Sequence, residues 1–315
     1  MSSPPPIPFL GLCRAEWMKI RGRGLGWAVL LFGLAHGLLA PAAIRGLLAL
    51  GAQVGAGETD PVDFLVGADA ALYFAVFPVN GFALLLLACI LWAEDYSLGT
   101  MAMIFVRPVA RWKVFAAKAT VAWGVSVGSL VLATVVGAVF GLLFLGPGGE
   151  IGLLGSAPVV AWMTAVPTDD AFAIAAAGGA LPEGEALGVF ARGGWIFVRL
   201  LACALILAPA VAVSALAAQI TRSPVLTLFG SLVVFVADGF VWAIALAWGK
   251  SNLSYHEAAA TIAEWTILGA RRGFFRANME GAAIGDLWPG GVMTLVYTLL
   301  FGGLALWLFQ KRDVT

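Results

Sequence analysis

Between Gly24 and Gln310 the chain holds five stretches of more than twenty residues with no Asp, Glu, Lys or Arg: Gly24–Ile44, Ala70–Ala93, Ala119–Gly149, Leu200–Thr221 and Leu287–Gln310. A sixth, Ser223–Gly249, is as long but is interrupted by Asp238. About 20 apolar residues in a helix cross the hydrocarbon core of a bilayer. Lipid offers backbone groups no partners, so each span must satisfy its own as a helix. Spans are therefore expected near 25–48, 71–93, 118–145, 194–219, 224–248 and 289–310. Composition agrees, with 61% hydrophobic and 11% charged residues, where a soluble domain carries roughly a quarter charged. The expected fold class is an all-α integral membrane protein, a single transmembrane domain over residues 1–315 with six transmembrane helices and neither a soluble domain nor an internal repeat.

The charges that remain are sorted by side. With six spans both termini share one side, and that side collects Arg14, Lys19, Arg21, Arg23, Arg107, Arg111, Lys113, Lys118, Arg222, Lys311 and Arg312. Against these eleven of the 18 Lys and Arg stand only four of the 18 acids: Glu16, Glu94, Asp95 and Asp313. Positively charged segments stay in the cytoplasm, which puts both termini there. Basic residues follow a proline-rich start at the N-terminus, unlike a cleavable signal peptide.

Two segments between spans are long and face outward on this topology, 146–193 and 249–288. The first contains "SAPVVAWMTAV", apolar yet too short to cross. In the second, Ala260, Ile262, Trp265, Ile267 and Leu268 suit an amphipathic helix at the outer face. Residues 7–23 read as an in-plane cytoplasmic helix, with Ile7, Leu10, Cys13, Trp17 and Ile20 on the apolar face and Arg14, Glu16, Arg21 and Arg23 mostly elsewhere. Trp92, Trp112, Trp195, Trp248 and Trp288 fall near span ends, as an aromatic belt would.

Catalytic patterns fail on inspection. "AWGKS" at 247–251 ends like a phosphate loop, but Ile244 stands where a glycine is needed. "GVSVG" at 124–128 matches a nucleophile elbow in form, yet it lies within a span, the spans after it hold no histidine, and His256 falls in an outer segment. Cys13, Cys89 and Cys203 have neither disulfide nor metal-ligand spacing. A formal net charge of zero argues against a nucleic-acid partner. The chain thus has no nucleotide-binding loop of its own and no metal-ligand spacing.

Ionisable groups within spans are costly and default to functional candidates. His36 and Asp238 are the two of this kind, and together they could form the proton path of an ion-coupled carrier. The competing readings are a neutral His36 bonded to a neighbouring helix and an Asp238–Arg199 ion pair, the latter preferred. Asn80, two residues after Pro78 in the second span, is a candidate for a bond across helices.

The segment 94–117 is longer than a reversal of the chain requires; the turn at 220–223 does the same in four residues. It opens Glu94-Asp95-Tyr96, passes through Ser97-Leu98-Gly99-Thr100 into "MAMIFV", and closes with Arg107-Pro108-Val109-Ala110-Arg111. Ser97 or Thr100 is placed to cap a short helix through Met101–Val106, and Pro108 to end it. An apolar helix at the inner face asks for a groove on another protein.

This stretch resembles the signature of type 2 ATP-binding-cassette permeases at Glu94, Gly99, Thr100, Pro108, Val109, Arg111 and Lys118, with Ala110 in place of the usual serine. "RAEWMKI" at 14–20 is similar to the family's N-terminal Glu-x-x-Lys helix, and "FQKRDV" at 309–314 to its common ending. The resemblance implies a transport subunit that itself catalyses nothing and binds no cofactor, most readily of an exporter, in the inner membrane of a prokaryote. It implies a second permease subunit, identical or related, and two cytoplasmic ATPase subunits that bind ATP and magnesium. It also implies that Leu98–Val106, including Met101, Met103, Phe105 and Val106, is a coupling helix whose ends are anchored by Glu94, Arg111 and Lys118, with Arg14, Glu16, Trp17 and Lys19 in the in-plane helix. The outer segments suit a further extracytoplasmic partner. A non-transporting membrane scaffold is the remaining alternative.

Overall fold

The apolar runs fold as helices. The computed structural model describes residues 8–22, 24–53, 64–75, 80–101, 109–145, 189–251, 266 and 288–311. In chain order the helices are α1 (Phe9–Gly22), α2 (Leu25–Gln53), α3 (Phe64–Phe74), α4 (Asn80–Cys89), α5 (Arg111–Phe144), α6 (Val189–Ile206), α7 (Ala208–Thr221), α8 (Pro224–Ser251) and α9 (Trp288–Lys311). α4 runs on through a π-helical turn, Ile90–Glu94, into a short helical turn, Asp95–Ser97.

Five helical stretches among the described residues are long and apolar enough to cross a membrane: Gly26–Gly46, Arg111–Phe144, Ile196–Thr221, Pro224–Ala245 and Gly290–Lys311. The expected span at 71–93 is not a sixth of the same kind. Its described residues belong to two shorter helices, α3 and α4. Pro78, which has no N–H for a helical ladder, falls between them in 76–79, outside the described residues. A second correction concerns the third span, placed from residue 118 by its first charge-free residues. The helix starts seven residues earlier, at Arg111, and at 34 residues it is about 50 Å long, well beyond the roughly 30 Å of a hydrocarbon core. Lys113 therefore rides on a helix rather than in a loop. The expected outer segments lie almost wholly outside the described residues.

Small residues decide which helices touch most closely. α2, α3 and α5 form one group, in which a methyl added at Gly37 would meet Val136 and Ala133, and one at Gly137 would meet Ala71. Ser129 Oγ donates to Val29 O across the same interface at 2.9 Å. Gly124, by contrast, faces open space. α7 packs against α8 and α9 and is buried almost all round. Arg222 closes α7 in the left-handed conformation (φ 56°), its N–H bonding Ala218 O, and Pro224 starts α8 at once. A left-handed residue just past a helix end is how chains turn this tightly.

Candidate functional site

Lys118 is the least expected residue in the core. It is 0% exposed, on a helix whose other buried residues are all uncharged. An ammonium has three protons to donate, and each has a taker here. Lys118 Nζ donates to Glu16 Oε2 on α1 at 3.1 Å, to Leu91 O in the π turn at 2.6 Å, and to Asp95 Oδ2. Lys19 Nζ completes the set, 3.1 Å from both Glu16 Oε1 and Asp95 Oδ2. Two lysines and two carboxylates thus form a closed, charge-neutral square joining α1, the end of the second apolar run and the start of α5.

Burial alone disfavours charge on Asp95 and Lys19, but the pairing outweighs it. For Asp95, desolvation pushes the carboxyl up, while Lys118 and then Lys19 pull harder and hold it below the usual carboxylate range. For Lys19, desolvation pulls the ammonium down, while Glu16 and Asp95 raise it above its ordinary value.

The Gly-Thr step explains itself from this geometry. Gly99 sits at φ +67°, a conformation that glycine adopts without penalty, and its N–H bonds Tyr96 O. The turn it makes brings Thr100 Oγ1 back to Asp95, 3.0 Å from Oδ1 and 3.2 Å from the backbone O. Ser97 Oγ also points back, donating to Glu94 O at 2.9 Å. Tyr96 OH donates to Gln219 Oε1 near the end of α7. Met101 is buried beside them.

Of the expected anchors, Lys118 pairs with Glu16 and Asp95, and Glu94 is half-buried. Arg111 reaches a different helix, its Nη1 donating to Gln310 O in the last turn of α9 at 2.8 Å. Met103, Phe105, Val106 and Pro108 lie outside the described residues. Within α1 the faces differ from the sequence wheel: Glu16 and Ile20 point inward with Trp17 half-buried, while Arg14 is exposed and Leu10 is 78% exposed. The wheel sorted by hydrophobicity, and Lys118 supplies the reason that a glutamate goes in.

His36 also corrects the expectation. Its Nδ1 lies 2.6 Å from Phe32 O, so the ring donates to its own helix rather than to a neighbour. Asn80 is the first residue of α4. Arg199 and Asp238 are half-buried on α6 and α8, and Asp238 acts electrostatically on Tyr297 of α9. Ser126 Oγ donates to Ala122 O one turn back, the ordinary state of a helical serine. Trp92, expected in an aromatic belt, is wholly buried.

Asp95, Tyr96 and Gln219 are the residues that sequence reasoning passed over. A signal for Asp95 existed: a lysine inside an apolar helix needs an acid, and only four acids share its side of the chain. Nothing in the sequence marked Gln219.

A family model described as ABC-2 family transporter protein matches residues 12–168, a stretch that contains the whole Glu16–Lys19–Asp95–Lys118 square. No curated protein and no solved structure matches the chain.

Proposed function

We propose that this chain, whose residues 12–168 match the model described as ABC-2 family transporter protein, is the non-catalytic permease subunit of an ATP-driven exporter. The observation that carries the proposal is the fully buried Lys118 tying α1 and Asp95 to the base of α5. A segment that only reversed the chain would have no need of such a brace. A segment that receives force from another protein does, since a loose attachment would absorb the displacement rather than pass it on.

In this reading the second apolar run crosses the membrane as α3 and α4 together, giving six spans. Both termini lie in the cytoplasm of a prokaryote, and α1 rests in the plane of the inner leaflet. The 94–117 segment, with Phe105 and Val106 at its apolar centre, seats in a groove of a cytoplasmic ATPase. Two ATPase subunits and a second permease subunit, identical or related, complete the complex; ATP and magnesium bind to the ATPases. Asp238 pairs with Arg199 as a structural ion pair. His36, bonded to its own helix, takes no part in a proton path.

Copurification tests this. The tagged chain, extracted in mild detergent from its native host, is expected to carry an ATPase at one copy per chain, and Phe105→Asp with Val106→Asp is expected to release it. A preparation with no ATPase, or one that keeps it through both substitutions, overturns the docking assignment.

A further inference from the structure

α9 is mostly an outward-facing helix: Leu295, Val296, Leu299, Leu300, Leu304 and Trp307 are all exposed. Its last turns behave differently. Ala305 and Phe309, four residues apart and so on one face, are 0% exposed. Phe309 stacks at a tilt on Phe115 of α5, with ring centroids 5.7 Å apart, and Phe115 in turn meets Trp92 of the π turn at 5.8 Å. One residue further, the Gln310 carbonyl accepts from Arg111 at 2.8 Å. This places a cation on the carbonyl end of a helix, where the macrodipole favours it.

The spacing on α5 gives these contacts a common origin. Arg111, Phe115 and Lys118 stand at i, i+4 and i+7, one face of the helix. That face holds α9 through Arg111 and Phe115, the π turn through Phe115 and Lys118, and α1 through Lys118. α9 also packs along α7. One face of the first two turns of α5 thus contacts α1 and the π turn together with α9, which packs along α7.

We infer that the last turn of α9, through Phe309 and the Gln310 carbonyl, is a positioning element that carries displacement of the 94–117 segment to the α7–α9 half of the molecule. The inference rests on the permease reading and extends it to residues outside the stretch matched to the family. Phe309 touches neither ATPase nor cargo in this proposal. It acts through α5.

The test uses the full complex with its copurified ATPase, comparing wild type with Phe309→Ala, Phe309→Leu, Arg111→Gln and Arg111→Lys. The measurements are ATPase copies per chain, kcat and KM for ATP. Misplacing a lever by an ångström weakens a coupled rate by up to about a hundredfold, so Phe309→Ala and Arg111→Gln are expected to lower kcat by roughly tenfold. Copy number and KM should hold, and Phe309→Leu and Arg111→Lys should recover part of the rate. If Phe309→Ala does not fold, Arg111→Gln, which leaves the apolar core intact, decides alone. A kcat within about twofold of wild type in the folded variants overturns the inference, and so does a fall that only tracks loss of bound ATPase. Wild type that brings no ATPase removes the underlying reading instead, and the wild-type lane distinguishes that outcome.

Discussion

Lys118 Nζ lies 3.1 Å from Glu16 Oε2, a bond that closes 102 positions of sequence. Both side chains are buried, with Asp95 between them on the same ammonium. Removing one member of a buried ion pair strands its partner and costs about 3–5 kcal/mol, whereas replacing all members by apolar groups costs far less. Lys118→Met is therefore expected to be the most damaging single change in the square. Adding Glu16→Gln and Asp95→Asn to it should recover stability, with a coupling of at least about 1 kcal/mol. Thermal unfolding of the detergent-purified variants checks this; additive losses would mean that the four side chains do not act as a unit.

The square also fixes a pH profile. Asp95 is held below its ordinary 3.8, so its contribution is complete above that value and is lost as pH falls through the lower folded-state pKa. Lys19 is held above its ordinary 10.5, so its contribution is complete below that value and is lost as pH rises through the higher folded-state pKa. Stability from these two groups is expected to be level across neutral pH, with an acid limb below 3.8 and an alkaline limb above 10.5. Melting temperature against pH for wild type and Asp95→Asn is the measurement. Loss of the acid limb in the variant assigns it to Asp95, and an unchanged limb assigns it elsewhere.

Glycines along α5 separate close packing from mere composition. A side chain at Gly137 would drive into Ala71 of α3, and one at Gly37 into Val136 of α5. Gly124 on the same helix meets nothing within 4 Å. Gly37→Leu and Gly137→Leu are each expected to reduce the yield of monodisperse protein sharply. Gly124→Ala should be neutral or stabilising by up to about 1 kcal/mol, since alanine is the better helix former. Size-exclusion profiles and melting temperatures distinguish the two classes.

Five of the six expected spans were legible as long apolar helices because run length and charge exclusion report directly on the solvent. The turn at Arg222–Ser223 was legible for the same reason: too few residues separate two runs to do anything else. The identity of the acid facing Lys118 was not. Asp95 follows directly on a π turn, Ile90–Glu94, whose wider winding gives a register different from that of a regular α-helix. A π turn has no compositional mark, so this register could come only from the structure. The inward glutamate of α1 was hidden for a related reason, since a wheel scores one helix at a time and Glu16 is satisfied by another.

His36 offers the sharpest separation between a motor-driven permease and an ion-coupled carrier. A carbonyl oxygen can only accept, so the 2.6 Å contact to Phe32 O puts a proton on Nδ1 and leaves Nε2 as the ring's other polar atom. A proton path needs an imidazole that takes up and releases a proton toward a second group, and the bond to Phe32 ties one nitrogen to its own helix. His36→Leu is therefore expected to leave the ATPase rate of the complex within about twofold of wild type, the range of a substitution away from any working contact. The same variant should show no change in its response to a collapsed proton gradient in vesicles. A loss of roughly tenfold or more, or activity that persists without ATP but follows the gradient, would make His36 a working group and return the carrier reading to first place.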